Sequence, residues 1–139
     1  MPKFAFAAAI VAVSLAAPAS AAPASVAGRW ITQEKNAVVE IGQCGASVCG
    51  RIVKFLVKPA TGWDATDANN PDPKLKSRKL LGTPILTGFK PEGTQWRGQI
   101  YDPKSGKTYR SIMQLSGGKL SVKGCIGPFC KNQTWTKAG

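Results

Sequence analysis

The chain has 139 residues, 43% of them hydrophobic, with 15 glycines, 10 prolines, four cysteines and no histidine. Its 19 Lys and Arg stand against 7 Asp and Glu, a formal charge of +12. That length fits one domain around one core, and the apolar content excludes disorder by composition. The missing imidazole excludes Ser-His-Asp hydrolysis, Cys-His proteolysis and His-ligated zinc.

The first element is an export leader, expected over residues 1–21. Lys3 supplies its positive start, Phe4 to Ala17 an uncharged apolar run, and Ala19-Ser20-Ala21 the small residues that a signal peptidase reads. The run falls short of the roughly 20 residues a spanning helix needs, and no later stretch could span a bilayer. Cleavage is expected after Ala21, with Ala22 and Ala24 as alternatives. It leaves 18 of the 19 basic residues against all 7 acids, a charge of +11 on residues 22–139. Those residues are expected to form a single β-barrel domain in a periplasmic or secreted protein.

Short strands follow in regular order. They are expected over 28–32, 37–43, 48–57, 83–90, 95–102, 108–115, 119–126 and 131–137, where β-branched and aromatic residues alternate with polar ones. Pro91-Glu92-Gly93, Pro103-Lys104-Ser105-Gly106 and Ser116-Gly117-Gly118 supply the later turns. About eight antiparallel strands between sequential neighbours suit a sandwich or a barrel. The barrel is preferred because closure removes exposed edges. Inward positions by alternation are Val39, Ile41, Trp96, Ile100, Met113, Leu115, Leu120, Val122 and Trp135, with Trp30 and Trp135 meeting if the first and last strands pair.

The one long departure runs from Lys58 to Leu81. Asp72 before Pro73 marks the start of a short helix, as N-cap and first helical residue. The basic run Lys74, Lys76, Arg78 and Lys79 follows, an anionic-partner patch whose attraction depends on salt. A loop this long is either functional or a structural flap over the barrel.

All four cysteines fall within residues 22–139, in two C-x4-C pairs that each bracket a turn. In an oxidising compartment this spacing favours disulfides Cys44–Cys49 and Cys125–Cys130 among the three possible pairings. A four-thiolate zinc site is the alternative. The acids Asp64, Asp67 and Asp72 lack the ligand spacing of a calcium loop. No metal and no cofactor is therefore expected, and no catalytic constellation stands out. Arg51 and Arg110 lie mid-strand. Outward is the ordinary place for them, whereas an inward Arg would need a ligand or a carboxylate such as Glu40.

Several motifs together resemble one family. They are Trp30, Cys44-Gly45 with Val48-Cys49-Gly50-Arg51-Ile52-Val53, and Asn69-Asn70-Pro71-Asp72-Pro73-Lys74-Leu75-Lys76-Ser77-Arg78. Next come Pro84-Ile85-Leu86-Thr87-Gly88-Phe89, Gly98-Gln99-Ile100-Tyr101-Asp102-Pro103, Gly106-Lys107-Thr108-Tyr109 and Gln133-Thr134-Trp135. In this order, from about Gly28 to Thr136, the chain is similar to the bacterial domain-of-unknown-function 2147 family. The resemblance implies a lipocalin-like, or calycin, β-barrel and an exported protein, and it carries no activity or site residue.

Two functions of different class follow. The first is a barrel holding a small apolar, amphipathic or anionic ligand, with Trp30, Arg51, Trp96, Arg110 and Trp135 as candidate binding residues. The second is a non-catalytic envelope module that contacts anionic lipid or glycan through the basic loop. Export makes nucleic acid an unsuitable partner. An enzyme comes last, resting only on the acids and on Tyr101 and Tyr109.

Overall fold

The computed structural model describes residues 2–16 and 22–139; the Ala19-Ser20-Ala21 of the expected leader and the cleavage expected after Ala21 lie outside the described residues. Residues 2–16 are exposed throughout and form no regular structure. Beyond them the alternating runs become β1 (Gly28–Ile31), β2 (Ala37–Cys44), β3 (Ser47–Phe55), β4 (Pro84–Glu92), β5 (Gln95–Asp102), β6 (Lys107–Ser116), β7 (Lys119–Ile126) and β8 (Phe129–Lys137). Each strand pairs antiparallel with its neighbour in sequence, and β8 returns to β1 to close an eight-stranded barrel. The fold is the lipocalin-like barrel expected from the sequence.

Three boundaries differ from expectation by two residues, each for a local reason. β3 ends at Phe55 because the N–H groups of Leu56 and Val57 turn away to donate to the Asn36 carbonyl, at 2.8 and 3.3 Å. Pro91 lies within β4, opposite Trp96, so the turn narrows to Gly93 and Thr94. β8 starts at Phe129, which sets Cys125 directly across from Cys130. Both expected disulfides, Cys44–Cys49 and Cys125–Cys130, are formed, with Cα atoms 5.8 and 4.0 Å apart. They staple the β2–β3 hairpin at one end of the barrel and the β7–β8 hairpin at the other.

Inside, the barrel is filled by its own side chains. Trp30, Val39, Leu86, Phe89, Met113, Leu120, Val122 and Trp135 are at most 1% exposed, and Trp96, Ile100 and Leu115 pack against them partly buried. Glycine is needed where strands crowd this interior. A Cβ on Gly50 would sit 3.0–3.2 Å from Leu86, Val39 and Ile41, and one on Gly98 only 2.6 Å from the Phe89 ring. Gly88, at φ +66°, allows the irregularity in β4 that carries Phe89 over Gly98.

Residues 22–27 seal the end opposite the long loop. Pro23 and Val26 are buried there. The indole N–H of Trp96 donates to the Ala24 carbonyl at 3.0 Å, and that of Trp30 to the Val26 carbonyl at 2.9 Å. An indole surrounded by apolar groups has one donor to satisfy, and here backbone carbonyls meet it.

Because the interior has no room for one more methyl at this point, Gly98→Ala is expected to destabilise the fold by about 1–3 kcal/mol through overpacking. A urea-unfolding midpoint equal to that of the parent chain would show that the Phe89 ring does not lie against Gly98.

Candidate functional site

The long loop between β3 and β4 folds onto the outer wall of the barrel. Ile100 faces inward against Leu86, so alternation turns Gln99, Tyr101 and Thr108, which is paired with Tyr101, to the outside. A single bridge between Thr66 and Lys79 pinches the loop at its base, with Leu80 N–H donating to the Ala65 carbonyl and Asp67 N–H to that of Arg78, both at 2.9 Å. Asp72 caps the short 3-10 turn Pro73–Leu75 by accepting from the Lys74 N–H at 3.0 Å, as its place before Pro73 foretold. The tip is moored by Asn69, whose amide donates to the carbonyls of Pro103 and Lys104 at 3.2 and 3.1 Å. Gly106, at φ +70°, is required beneath it, since any Cβ would collide with the Asn69 carbonyl.

Asp67 is the centre of this arrangement. Its side chain has no solvent exposure. It accepts from the Tyr101 hydroxyl at 2.6 Å and the Asn70 amide at 2.8 Å. The Arg78 Nε donates at 3.0 Å, and its Nη2 lies 2.9 Å from the same carboxylate oxygen. Arg78 also lies over the Tyr101 ring, 5.9 Å from its centre. Burial alone would push the Asp67 carboxyl up, but the hydrogen bonds from Tyr101, Asn70 and Arg78 and the guanidinium charge outweigh it, leaving Asp67 below its ordinary value. The same burial, together with the neighbouring carboxylate, pushes the Tyr101 hydroxyl up to about 12. Between loop and wall runs a groove of about 310 Å³, lined in part by Arg78, Gln99, Tyr101 and Thr108.

The residues singled out from the sequence are dispersed by the fold. Trp30 and Trp135 are core, each 1% exposed, and Trp96 closes the sealed end. Arg51 and Arg110 both point outward, where their strands' alternation places them. Arg51 lies 4.0 Å from Glu40, which also pairs with Arg29 at 2.8 Å. Arg110 reaches over the Cys125–Cys130 hairpin to the Gly127 carbonyl. These five residues therefore do not converge on one site. In the basic run, Lys74, Lys76 and Lys79 are exposed, whereas Arg78 turns inward to Asp67. Among the described residues no group of three or more His, Cys, Asp or Glu side chains gathers to hold a metal.

What the residues did not disclose is the meeting of Asp67 with Tyr101, 34 positions apart. Asp67 stood among several loop acids and Tyr101 among strand residues, with no spacing to join them.

The two shifted groups fix the pH behaviour of the loop. Asp67 lies below its unfolded value, so its contribution is present above the ordinary aspartate range and is lost as pH falls through the lowered value. Tyr101 lies above its ordinary 10.0, so its contribution is complete below that value and is lost as pH rises through about 12. Tyr101→Phe leaves a buried carboxylate short of one donor and is expected to cost about 1–3 kcal/mol. It should also abolish the alkaline loss and move the acid loss to higher pH. Urea unfolding of both chains at a series of pH values measures both effects; parental stability in Tyr101→Phe at neutral pH would overturn the role given to the hydroxyl.

Comparison with known proteins places this geometry. Residues 28–137 match the family described as uncharacterised proteins conserved in bacteria, DUF2147. Among solved structures, the barrel is similar to protein HP1028 of the human pathogen Helicobacter pylori, described as belonging to the lipocalin family. The TM-score is 0.72 at 22% identity, covering 83% of this chain and 84% of the other. No curated protein gives a match. At that identity the structural likeness speaks for the fold, while the family match spans the whole barrel from β1 to β8. The chain belongs to the DUF2147 family of uncharacterised bacterial proteins.

Proposed function

We propose that residues 1–21 direct export and are removed, and that the mature barrel works in the periplasm or outside the cell as a binding module. In this reading the long loop rests on an anionic phospholipid surface. The observation that carries it is the loop's composite exposed face: Lys74, Lys76 and Lys79 project beside Trp63, Leu75 and Leu81, which are 56, 36 and 46% exposed. Cations attract acidic headgroups, whereas an exposed indole and leucines suit the headgroup boundary better than bulk water. Lys76 is steadied by the Ala68 carbonyl at 3.3 Å, and Lys79 lies 3.8 Å from a freely exposed Asp64, so neither cation is neutralised by burial.

The charge and apolar run of residues 1–21, the exposure of residues 2–16 and the two disulfides support export. Among the described residues no helix is long and apolar enough to cross a membrane; in this reading the attachment is made by the loop alone. A small ligand inside the barrel, the other expectation, draws support from the lipocalin-like fold; the close packing around Gly50 and Gly98 favours an external contact instead. Binding rather than catalysis is the reading preferred here, because the carboxylates serve local bonds: Asp67 to Arg78, Glu92 to Arg97 at 2.7 Å, Glu34 to Lys104 at 3.1 Å.

The test is co-sedimentation of the mature protein with vesicles. Binding is expected to vesicles rich in phosphatidylglycerol and not to pure phosphatidylcholine, and to weaken with salt. Each lysine near such a surface contributes about 1 kcal/mol, so Lys74→Glu, Lys76→Glu and Lys79→Glu combined should reduce binding at least tenfold. Unchanged sedimentation of the triple variant would sink the proposal.

A further inference from the structure

The groove between loop and barrel wall is built differently from the lysine face, and its chemistry points elsewhere. Its polar groups fall into two sets. Tyr101 and Asn70 spend their hydrogen bonds on Asp67, as does one edge of Arg78. The outer-wall side chains of Thr87, Gln99 and Thr108 make no hydrogen bond within the protein among the described residues, nor does the second terminal nitrogen of Arg78, whose side chain is 31% exposed. Thr87 and Gln99 face each other across β4 and β5, and Thr108 sits opposite Tyr101 across β5 and β6, so these groups form one array on a rigid sheet. Sites on strands hold their groups more firmly than sites on loops. Arg78, although it comes from the loop, is locked over the Tyr101 ring by the buried carboxylate.

The occupant follows from what this array offers and what it withholds. It offers guanidinium, amide and hydroxyl donors above the proline and leucine carbons of Pro71, Pro84 and Leu75. It withholds a free carboxylate, since Asp67 is fully enclosed. A neutral sugar is commonly held by an acid that accepts from its hydroxyls; here the ligand itself must bring the strong acceptors. The groove, at about 310 Å³, lies at the small end of ligand-site volumes, roughly 300–1,000 Å³, which accommodates a single ring and not a long chain. The positive field of a chain with formal charge +12 adds to the preference for an anion.

We infer that this groove binds one acidic saccharide unit of the uronic acid class. The carboxylate lies against the free edge of Arg78, the ring hydroxyls against Gln99, Thr87 and Thr108, and the apolar ring face on the proline and leucine carbons. The site needs neither Lys74, Lys76 nor Lys79 and shares only Leu75 with the membrane reading.

The test is amide NMR of the mature, disulfide-bonded protein titrated with D-glucuronic acid at 150 mM salt, with D-glucose in parallel. The expected result is saturable shifts at Gln99, Tyr101 and Thr108 and at the Arg78 side chain with glucuronate, and at least tenfold weaker response to glucose. Gln99→Leu and Thr108→Val, which remove exposed side chains with no partner in the fold, should each weaken glucuronate binding at least fivefold while leaving the spectrum otherwise folded. The triple lysine variant should bind glucuronate within twofold of the parent, which separates this site from the vesicle experiment. Absence of shifts in the groove, equal response to glucose, or shifts confined to the lysine face would each overturn the inference.

Discussion

A carboxylate cannot lie out of water without donors around it, and Asp67 is shut in completely. That requirement shapes the whole outer side of the barrel. Leaving the charge unpaired would cost several kcal/mol, so the loop must bring Asn70 and Arg78 to it and the sheet must bring Tyr101. Satisfying one buried acid therefore decides where a stretch of more than twenty residues lies. With the loop in place, the lysines that follow Asp72 have no inward partner and face solvent, and the wall beneath retains a row of unspent polar groups.

The barrel supplies the rigid surface on which this arrangement depends. Its stiffness comes from a packed interior and from two hairpins closed by disulfides at opposite ends. The sealed end uses a second device. Two tryptophans that first count as apolar residues each present an N–H, and residues 22–27 answer with carbonyls. Trp30 also carries Lys137 over its ring at 5.0 Å, joining the first strand to the last by a cation–π contact. Residues 22–27 are thus part of the barrel's own structure.

Much of this was legible in the residues, and the reasons are physical. Strands announce themselves locally, because alternation and glycine turns are properties of a few adjacent positions. The C-x4-C spacing led to the disulfides for the same reason, since a hairpin brings its ends together whatever the rest does. Asp72-Pro73 located the 3-10 turn through a capping bond only two residues long. In the sequence, only the general preference of arginine sets Arg51 and Arg110 outward, because alternation gives two faces without saying which is inner until the register of neighbouring strands decides it. Arg78 looked like one more member of a basic run, and only the return of the loop onto β5 distinguishes it from Lys74, Lys76 and Lys79. Tyr101 and Asp67 are joined by tertiary packing alone, and no local pattern encodes such a meeting.

The closing seam has a consequence for how the chain acquires its shape. β1 is four residues long and pairs with β8 at Trp30 with Lys137 and Ile31 with Thr136, helped by the Ala138 N–H donating to the Arg29 carbonyl at 2.9 Å and the Gln33 side chain accepting from the Thr134 N–H at 2.7 Å. These partners lie more than a hundred positions apart in the chain. The other pairings join neighbours and can zip progressively, but the ring stays an open ribbon until β8 meets β1. Contacts of such long sequence separation are slow to form, so the interval before closure, with an unguarded edge on either side, is when this polypeptide most needs shielding from other ribbons like itself.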